Sequence, residues 1–478
     1  MKTSPPEAIT PDTPSPVADA ALGLAAKYAR PGPRYTSYPT APHFADETAP
    51  KRYLRDSAAA RQLSTNPLSL YVHLPFCADI CYYCACNKVV TRNRDAAREY
   101  LFYLEKEIEL QSALVGNKRP ITQLHWGGGT PTFLEDAELT RLMHILATHF
   151  RLLADDHREY SIEVDPRTVG NDTLALLKGI GFNRISMGVQ DFDPRVQASV
   201  NRVQQYDMVA ELTANVRALR FKSLGFDLIY GLPHQTVASV SETLRKVVTL
   251  APDRIACYSY AHLPHRFSSQ RAIDRLTLPS ADNKLHLHEV ISDTLQRNGY
   301  VHIGMDHYVK PDDELALAQN EGRLQRNFQG YSRQLAFDTL GIGASAISHM
   351  GDDYLQNATQ LEEYYARLRA GEFPIQRGYR MSWEDKLRYH IIMSLACHMR
   401  LDINELEDQF AVRFGDHFGQ QIAALAEMIA DELVELRDDL LLITRKGRPF
   451  IRNICMVFDA YLEAPPTPGN AVIYSATI

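Results

Sequence analysis

From residue 68 to about residue 309 the chain repeats one pattern: an apolar run of strand length, then an amphipathic helix. Period-two alternation or short apolar runs mark strands at 68–74, 123–126, 160–164, 184–189, 225–230, 254–260 and 301–307. Helical periodicity marks 95–115, 136–149, 171–180, 206–219, 237–250 and 281–298. Strands that alternate with helices predict a parallel sheet, so the fold class is α/β. Sheets of this kind place their chemistry at the carboxyl ends of the strands. The functional residues are therefore expected where each strand stops.

The first strand stops at Pro75, and the loop beyond holds Cys77, Cys81, Cys84 and Cys86, four of the seven cysteines. Three thiolates in a CxxxCxxC spacing suit a soft metal or an iron–sulfur cluster. With Cys77, Cys81 and Cys84 as ligands, one iron of a four-iron cubane lacks a protein ligand and is free to bind a small molecule. Structural zinc usually takes a second ligand pair farther along the chain, whereas Cys257, Cys397 and Cys455 stand alone. Disulfides are a third reading, but nothing else in the sequence suggests export. Cys86 falls outside the spacing and reads as a buried or accessory thiol rather than a ligand.

The second strand runs into Trp126-Gly127-Gly128-Gly129-Thr130-Pro131-Thr132. Such a turn either closes a strand tightly or lets the backbone approach a ligand. The third strand carries Glu163 and Asp165, two apart and so expected on one face. A salt bridge to Arg167 or Arg184 is their plain reading. The fourth ends in Gln190 and Asp191, with Asn201 and Arg202 beyond. Asp227 is a charge inside the apolar fifth strand, which is costly unless it is paired or bound. The sixth ends at Ala261, and the seventh at Asp306 and His307, which read either as substrate contacts or as a hydrogen-bonded structural pair. Two Gly-broken stretches, 326–332 and 340–348, read as loops.

From about Arg380 helices take over, at 383–398 and 417–431, with a hairpin over 433–444 and a helix over 451–462. Helices plus a hairpin suggest a winged-helix-like unit. Its many acids and missing basic stripe argue against DNA, leaving a lid over the barrel mouth. The net charge of -7 likewise disfavours a nucleic-acid scaffold, although local charge decides binding of an anionic substrate. No apolar run approaches the ~20 residues of a membrane helix. No basic-then-apolar leader is evident, so a cytoplasmic protein is expected.

CxxxCxxC with Tyr83 before the third cysteine resembles the signature of the radical S-adenosylmethionine (SAM) superfamily. PGPRYTSYPT at 31–40, YVHLPFCADICYYCACNKVVTR at 71–92 and RNICMVFDAYL at 452–462 resemble the oxygen-independent coproporphyrinogen III oxidases in particular. The resemblance spans about 32–462. It implies a partial TIM-like (β/α) barrel over 68–379 and a smaller, mostly helical domain over 380–463. Before these come a disordered tail with a short helix (1–30) and a segment near the active site (31–67). A loose tail (464–478) follows. It implies a [4Fe-4S] cluster on Cys77, Cys81 and Cys84, and two molecules of SAM. Cofactor contacts are implied for Tyr71 and Gly128, and a contact to the first SAM for Glu163. Gln190, Arg202 and Asp227, with Tyr83, Gly129, Thr130, Ala261 and Ile347, are implied for the second. No residue is singled out as catalytic in its own right.

The implied reaction converts two propionates of coproporphyrinogen III to vinyl groups, giving protoporphyrinogen IX without oxygen. It proceeds through a 5′-deoxyadenosyl radical. A cytoplasmic electron donor and a monomeric enzyme are expected, with no nucleic-acid or membrane partner. Arg34 and Lys88 are the candidate carboxylate-binding cations, and Arg34, Tyr35 and Tyr38 either meet carboxylates or form a packed surface loop. The runner-up is a related haem chaperone without oxidase activity. The family's usual two threonines after RNFQGY are replaced by Ser332-Arg333, followed by QLAF, and Gly225 stands where Asn is usual.

Overall fold

The computed structural model describes residues 23–55, 64–333, 338–463 and 474–478. The expected disorder of the first residues, the start of the short helix expected within 1–30, and the QLAF run lie outside the described residues.

The main sheet holds 13 strands. Numbering those used below in chain order, β1 is Leu68–Leu74, β2 Pro120–Gly128, β3 Glu159–Val164, β4 Arg184–Gln190, β5 Ser223–Tyr230 and β6 Arg254–Ser259. β7 (Val301–Ile303), β8 (His307–Val309), β9 (Asp338–Ile342), β10 (Ile347–Met350), β11 (Asp353–Asn357) and β12 (Ile375–Arg380) complete its path, and the thirteenth strand, Arg151–Leu152, pairs with β2 off that path. The order is β7-β8-β6-β5-β4-β3-β2-β1-β9-β10-β11-β12. β1 to β6 are parallel, as the strand–helix repeats predict, and β9 adds in parallel beside β1. The two flanks are antiparallel. The sheet path is open, so the barrel is partial.

Two expectations fail on the flanks. The seventh strand is a pair, β7 and β8, because Gly304 turns the chain at φ +56 and the Tyr331 ring fills the place of its side chain. The stretches read as loops are strands. Residues 340–348 span β9 and β10, and Leu324–Asn327 pairs with Gly330–Arg333. Gly341 permits the tight β9–β10 approach, since a Cβ there would stand 2.6 Å from the Ile347 carbonyl.

Helices α1 (Arg94–Val115), α2 (Asp136–His149), α3 (Asn171–Gly179), α4 (Tyr206–Ala218), α5 (Val237–Leu250) and α6 (Ala281–Arg297) join the parallel strands. Strand alternation sorts the side chains. In β3, Tyr160, Ile162 and Val164 are buried in the apolar layer, while Glu159, Ser161 and Glu163 face the barrel interior. The interior is thus polar, and a cavity rather than a packed core results. Its amino-terminal end is plugged by ion pairs. Arg184 meets Glu159 and Glu314, Arg333 meets the same two acids, and Arg254 meets Asp313 at 2.8 Å.

A second core gathers α7 (Trp383–His398), α8 (Gly419–Ala430), the hairpin Val434–Arg437/Leu440–Ile443 and residues 24–38. The helix expected over 451–462 is two short pieces, Ile451–Met456 and Ala460–Glu463. Ser382 caps α7 in a reciprocal box with Asp385, worth about 1 kcal/mol. The end of the expected loose tail is docked instead. Arg452 donates to the carbonyls of Ala476 and Thr477, and Thr477 N–H donates to Arg30 O at 2.9 Å. A buried guanidinium must spend its N–H groups on acceptors, and these carbonyls are what it finds.

Candidate active site

The carboxyl ends of β1 to β6 open into a cavity of about 890 Å³. A second chamber of about 480 Å³ adjoins it. The two share Thr36, Cys86, Glu163, Phe328, Gln329 and Ile347 among their walls.

The cysteine loop forms one wall. Pro75 ends β1, and backbone bonds then fix the loop: Tyr82 N–H to Val200 O at 3.0 Å, Val89 N–H to Pro75 O at 2.8 Å, Thr91 N–H to Cys77 O at 2.9 Å. The triglycine turn packs against it. A Cβ on Gly129 would lie 2.6 Å from the Pro75 carbonyl, and Gly128 holds φ +114 against the His73 ring. Each sulfur has its own polar neighbour. Thr130 Oγ1–H points at Cys77 Sγ (3.5 Å), and Arg167 and Arg202 point at Cys81 Sγ (3.8 and 3.6 Å). Hydrogen bonding to Cys86, outweighing burial, and the nearby Lys88 ammonium draw the Cys84 thiol below its ordinary value, while the same bond pushes Cys86 up. Burial pushes Cys77 up to about 11, so ligation there must release a proton. Among the described residues no three His, Cys, Asp or Glu side chains converge on a single-ion site. The loop offers three separate thiols with donors around them, and that donor set fits an iron–sulfur cluster.

Behind the loop, Arg202 donates to Asp165 Oδ2 (3.0 Å) and to Gly188 O (2.5 Å), and Arg167 also clasps Asp165. Asp165 therefore does not share a ligand-facing surface with Glu163. It lies past the end of β3 and is consumed by these two arginines, whereas Arg184 belongs to the plug. Glu163 opens to both chambers. It accepts from Gly128 N–H at 3.2 Å and pairs with His125 Nε2 at 3.1 Å. Burial would raise its pKa, but the His125 contact and the Gly128 N–H outweigh that and hold it below the usual value. Asp227 shows the opposite result. Burial first, then the Glu163 charge, push it up to about 7 against one donor, Ser186 Oγ at 3.1 Å.

Tyr71, Gly128, Glu163 and Ile347 line the smaller chamber. Tyr83, Glu163, Gln190, Asp227, Ala261 and Ile347 line the larger. Gly129, Thr130 and Arg202 stand one layer back, against the cysteine loop. Gln190 takes φ 65 at the end of β4.

Arg34 enters the larger cavity and donates to Ser259 O at 2.7 Å. Tyr35 and Tyr38 are fully buried and form no surface loop; Tyr35 spends its O–H on Asp459 at 2.9 Å, and Tyr38 Oη accepts Ala460 N–H at 3.0 Å. Lys88 donates to Cys84 O at 3.1 Å and lines neither chamber. Asp306 and His307 are a bonded pair (2.7 Å) with Arg326 at 3.4 Å, and His307 also lines the cavity. Burial would raise Asp306, but Arg326 and His307 override it downward.

Sequence reading missed three supports. His125 faces inward two residues before Gly127, which the alternation of β2 could have shown. His73 donates Nε2–H to Asn87 O (3.0 Å), so its Nδ1 must accept from Tyr71 Oη–H (3.0 Å) and orient that ring. Glu107, an acid on the apolar face of α1, is buried and pushed up to about 7 by that burial. It accepts from Gly343 N–H, Asn357 and Tyr364, fixing the turn that leads to Ile347.

Comparison with known proteins agrees with this geometry. The Radical SAM superfamily model matches residues 71–247, and the HemN C-terminal domain model matches 381–450. The oxygen-independent coproporphyrinogen III oxidase of Pseudomonas aeruginosa is 46% identical over 92% of this chain and 96% of its own. That of Escherichia coli (strain K12) is 46% identical over 92% of this chain and 95% of its own. The solved structure of coproporphyrinogen III oxidase (HemN) from Escherichia coli, described as a radical SAM enzyme, superposes with a TM-score of 0.85 over 90% of this chain and 97% of that one. No described helix is long and apolar enough to cross a membrane. A thiol-bearing loop at the mouth of a parallel half-barrel, joined to a HemN-type C-terminal unit at this level of identity, places the chain in the oxygen-independent coproporphyrinogen III oxidase family, radical SAM oxidoreductases of porphyrin biosynthesis that use a [4Fe-4S] cluster and SAM.

Proposed function

We propose that the chain removes one hydrogen atom from the β-carbon of each of two propionates of coproporphyrinogen III, and that each resulting radical then loses CO2 and passes one electron to an acceptor, giving the vinyl groups of protoporphyrinogen IX. The observation that carries this is the pair of chambers meeting at Cys86, Glu163 and Ile347 beside the cysteine loop. Two adjoining spaces accommodate two SAM molecules near one cluster. Cys77, Cys81 and Cys84 would hold the cluster. Tyr71, Gly128 and Glu163 would hold the first SAM, the Glu163 carboxylate suiting its ammonium. Tyr83, Gln190, Asp227, Ala261 and Ile347 would hold the second, with Gly129, Thr130 and Arg202 supporting from behind. When bound, cluster and SAM supply one electron and a 5′-deoxyadenosyl radical able to take hydrogen from an unactivated carbon.

The chain's own residues do the rest. Residues 32–36 and 327–329 line the cavity, and a substrate bound against them would displace water, which shields a reactive intermediate. Arg34 presents a guanidinium for a propionate, the geometry in which paired N–H donors bind carboxylates best. All seven cysteines are free, which supports a reducing, cytoplasmic setting. Turnover of coproporphyrinogen III with SAM and reductant under anaerobic conditions should yield protoporphyrinogen IX and methionine. Cys81→Ser should abolish both product and cluster absorbance, while Cys86→Ser should keep its iron. Stoichiometric haem binding without product would favour the chaperone reading instead.

A further inference from the structure

The outer side of the cysteine loop is covered by one short segment. Gln270 Nε2–H donates to Tyr83 O at 3.0 Å, and Ser269 Oγ–H to Cys84 O at 3.4 Å. This segment thus touches the backbone of a cluster-ligating cysteine on one side and solvent on the other. Its outward face carries Arg271, Arg275 and Leu276, and Leu276 is 93% exposed. The neighbouring residues Ile273 and Leu278 pack with Val196, Val200, Tyr82 and Tyr83 in a small apolar cluster. Val203, 56% exposed, and the exposed Arg195 flank that same cluster. Asp274 accepts the Leu276 N–H at 2.9 Å as a helix cap and keeps its charge, but the exposed Arg195, Arg271 and Arg275 outnumber it. A basic rim around exposed apolar side chains therefore sits on a chain whose net charge is -7.

We propose that this face, centred on Leu276 with Arg271 and Arg275, is where an acidic one-electron carrier protein docks to reduce the cluster. The inference rests on the radical SAM reading above. Leu276 and Val203 expose apolar surface near arginines, a residue type enriched at interfaces. The local positive charge set against an acidic background attracts an acidic partner. Transient electron-transfer encounters need only a small contact area, which this segment offers. In the step itself one electron passes. The carrier is oxidised, the cluster is reduced, and no bond is made or broken.

The test uses the reconstituted holoenzyme and an acidic flavodoxin as probe. Affinity is read by anisotropy of labelled flavodoxin at several salt concentrations. Cluster bleaching is followed with reduced flavodoxin and, separately, with dithionite. Arg271→Glu combined with Arg275→Glu should weaken binding and slow flavodoxin-driven bleaching by about tenfold or more at low salt, leaving the dithionite rate unchanged. Leu276→Ser, which keeps the charge, should weaken binding with the same salt slope. Unchanged affinity in both variants overturns the proposal. So does equal slowing with dithionite, which would make the segment a prop for the loop. Concentration-dependent self-association of the wild type, lost in the variants, would also overturn it. Neither measurement needs the porphyrin, so failure of the substrate reading would show separately, as intact carrier binding without porphyrin turnover.

Discussion

Glu159 and Glu163 lie on the same strand, on the same inward face, four residues apart. Glu159, at the amino-terminal end, is gripped by Arg333 at 2.5 Å and Arg184 at 3.5 Å. Glu163, at the carboxyl end, has one histidine and one backbone N–H, and opens to both chambers. One barrel thus has two charged ends that differ in completeness. The bottom spends its charges on one another and is a plug. The top leaves Glu163, Asp227 and Arg34 without a full set of partners, which is what a site awaiting charged ligands requires. Incomplete pairing, rather than charge itself, separates site from scaffold.

The plug gives the largest expected effect. Arg184→Ala removes the more buried of the two cations that Glu159 and Glu314 share, leaving the acids to Arg333. Breaking a buried pair costs about 3–5 kcal/mol, so the urea midpoint should fall sharply while the folded fraction keeps its SAM affinity. The top should answer in reverse. Glu163→Gln removes the charge proposed to meet the SAM ammonium. Losing a hydrogen bond to a charged group costs about 1.5–3 kcal/mol, or roughly a tenfold to hundredfold loss of SAM affinity, with the urea midpoint nearly unmoved. If both variants lose stability and neither loses ligand, the two ends are one scaffold and the contrast fails.

Asp227 sharpens the comparison through pH. Its folded pKa is raised from 3.8 to about 7 by burial and by Glu163. The fold therefore favours the protonated carboxyl. That contribution is complete below about pH 4 and is lost as pH rises through 7, where ionisation occurs at a cost. Asp227→Asn should match the wild type near pH 4 and exceed it at pH 8, by on the order of 2 kcal/mol. A gap that stays constant between pH 4 and 8 would mean that Asp227 is already paired and belongs with the scaffold.

The parallel core was legible because period two and period 3.6 alternate cleanly through 68–298, and Pro75 and the glycines of 127–129 punctuate the strand ends. The cysteine spacing was equally plain. What stayed hidden was which partners reach across the sequence. Glu159 and Glu163 fall on one face of the same strand, and only Arg333, over 150 residues away, closes on the first and not on the second. Glycine misled at 340–348, where it serves a tight strand pairing rather than a loop. The tail misled because its residues look unremarkable, and only Arg452 shows why they are held.

The smallest effect tests whether the plug is a unit or a gradient. Lys222 pairs with Glu314 at 2.5 Å, as Arg184 pairs with the same acid, but the Lys222 side chain is 40% exposed against 7% for Arg184. Water can replace an exposed ammonium and cannot replace a buried guanidinium, so solvent should absorb most of the loss. Lys222→Ala is expected to cost below about 1 kcal/mol and to lose even that in high salt. In the double variant with Arg184→Ala, a cost well beyond the sum would mean that Glu314 depends on the two cations jointly. Additivity within about 0.5 kcal/mol would instead assign the plug's contribution to its buried members alone. The same logic applied upward predicts that Glu163, whose side chain is 43% exposed to the open chambers, has its charge compensated by water until a ligand displaces it.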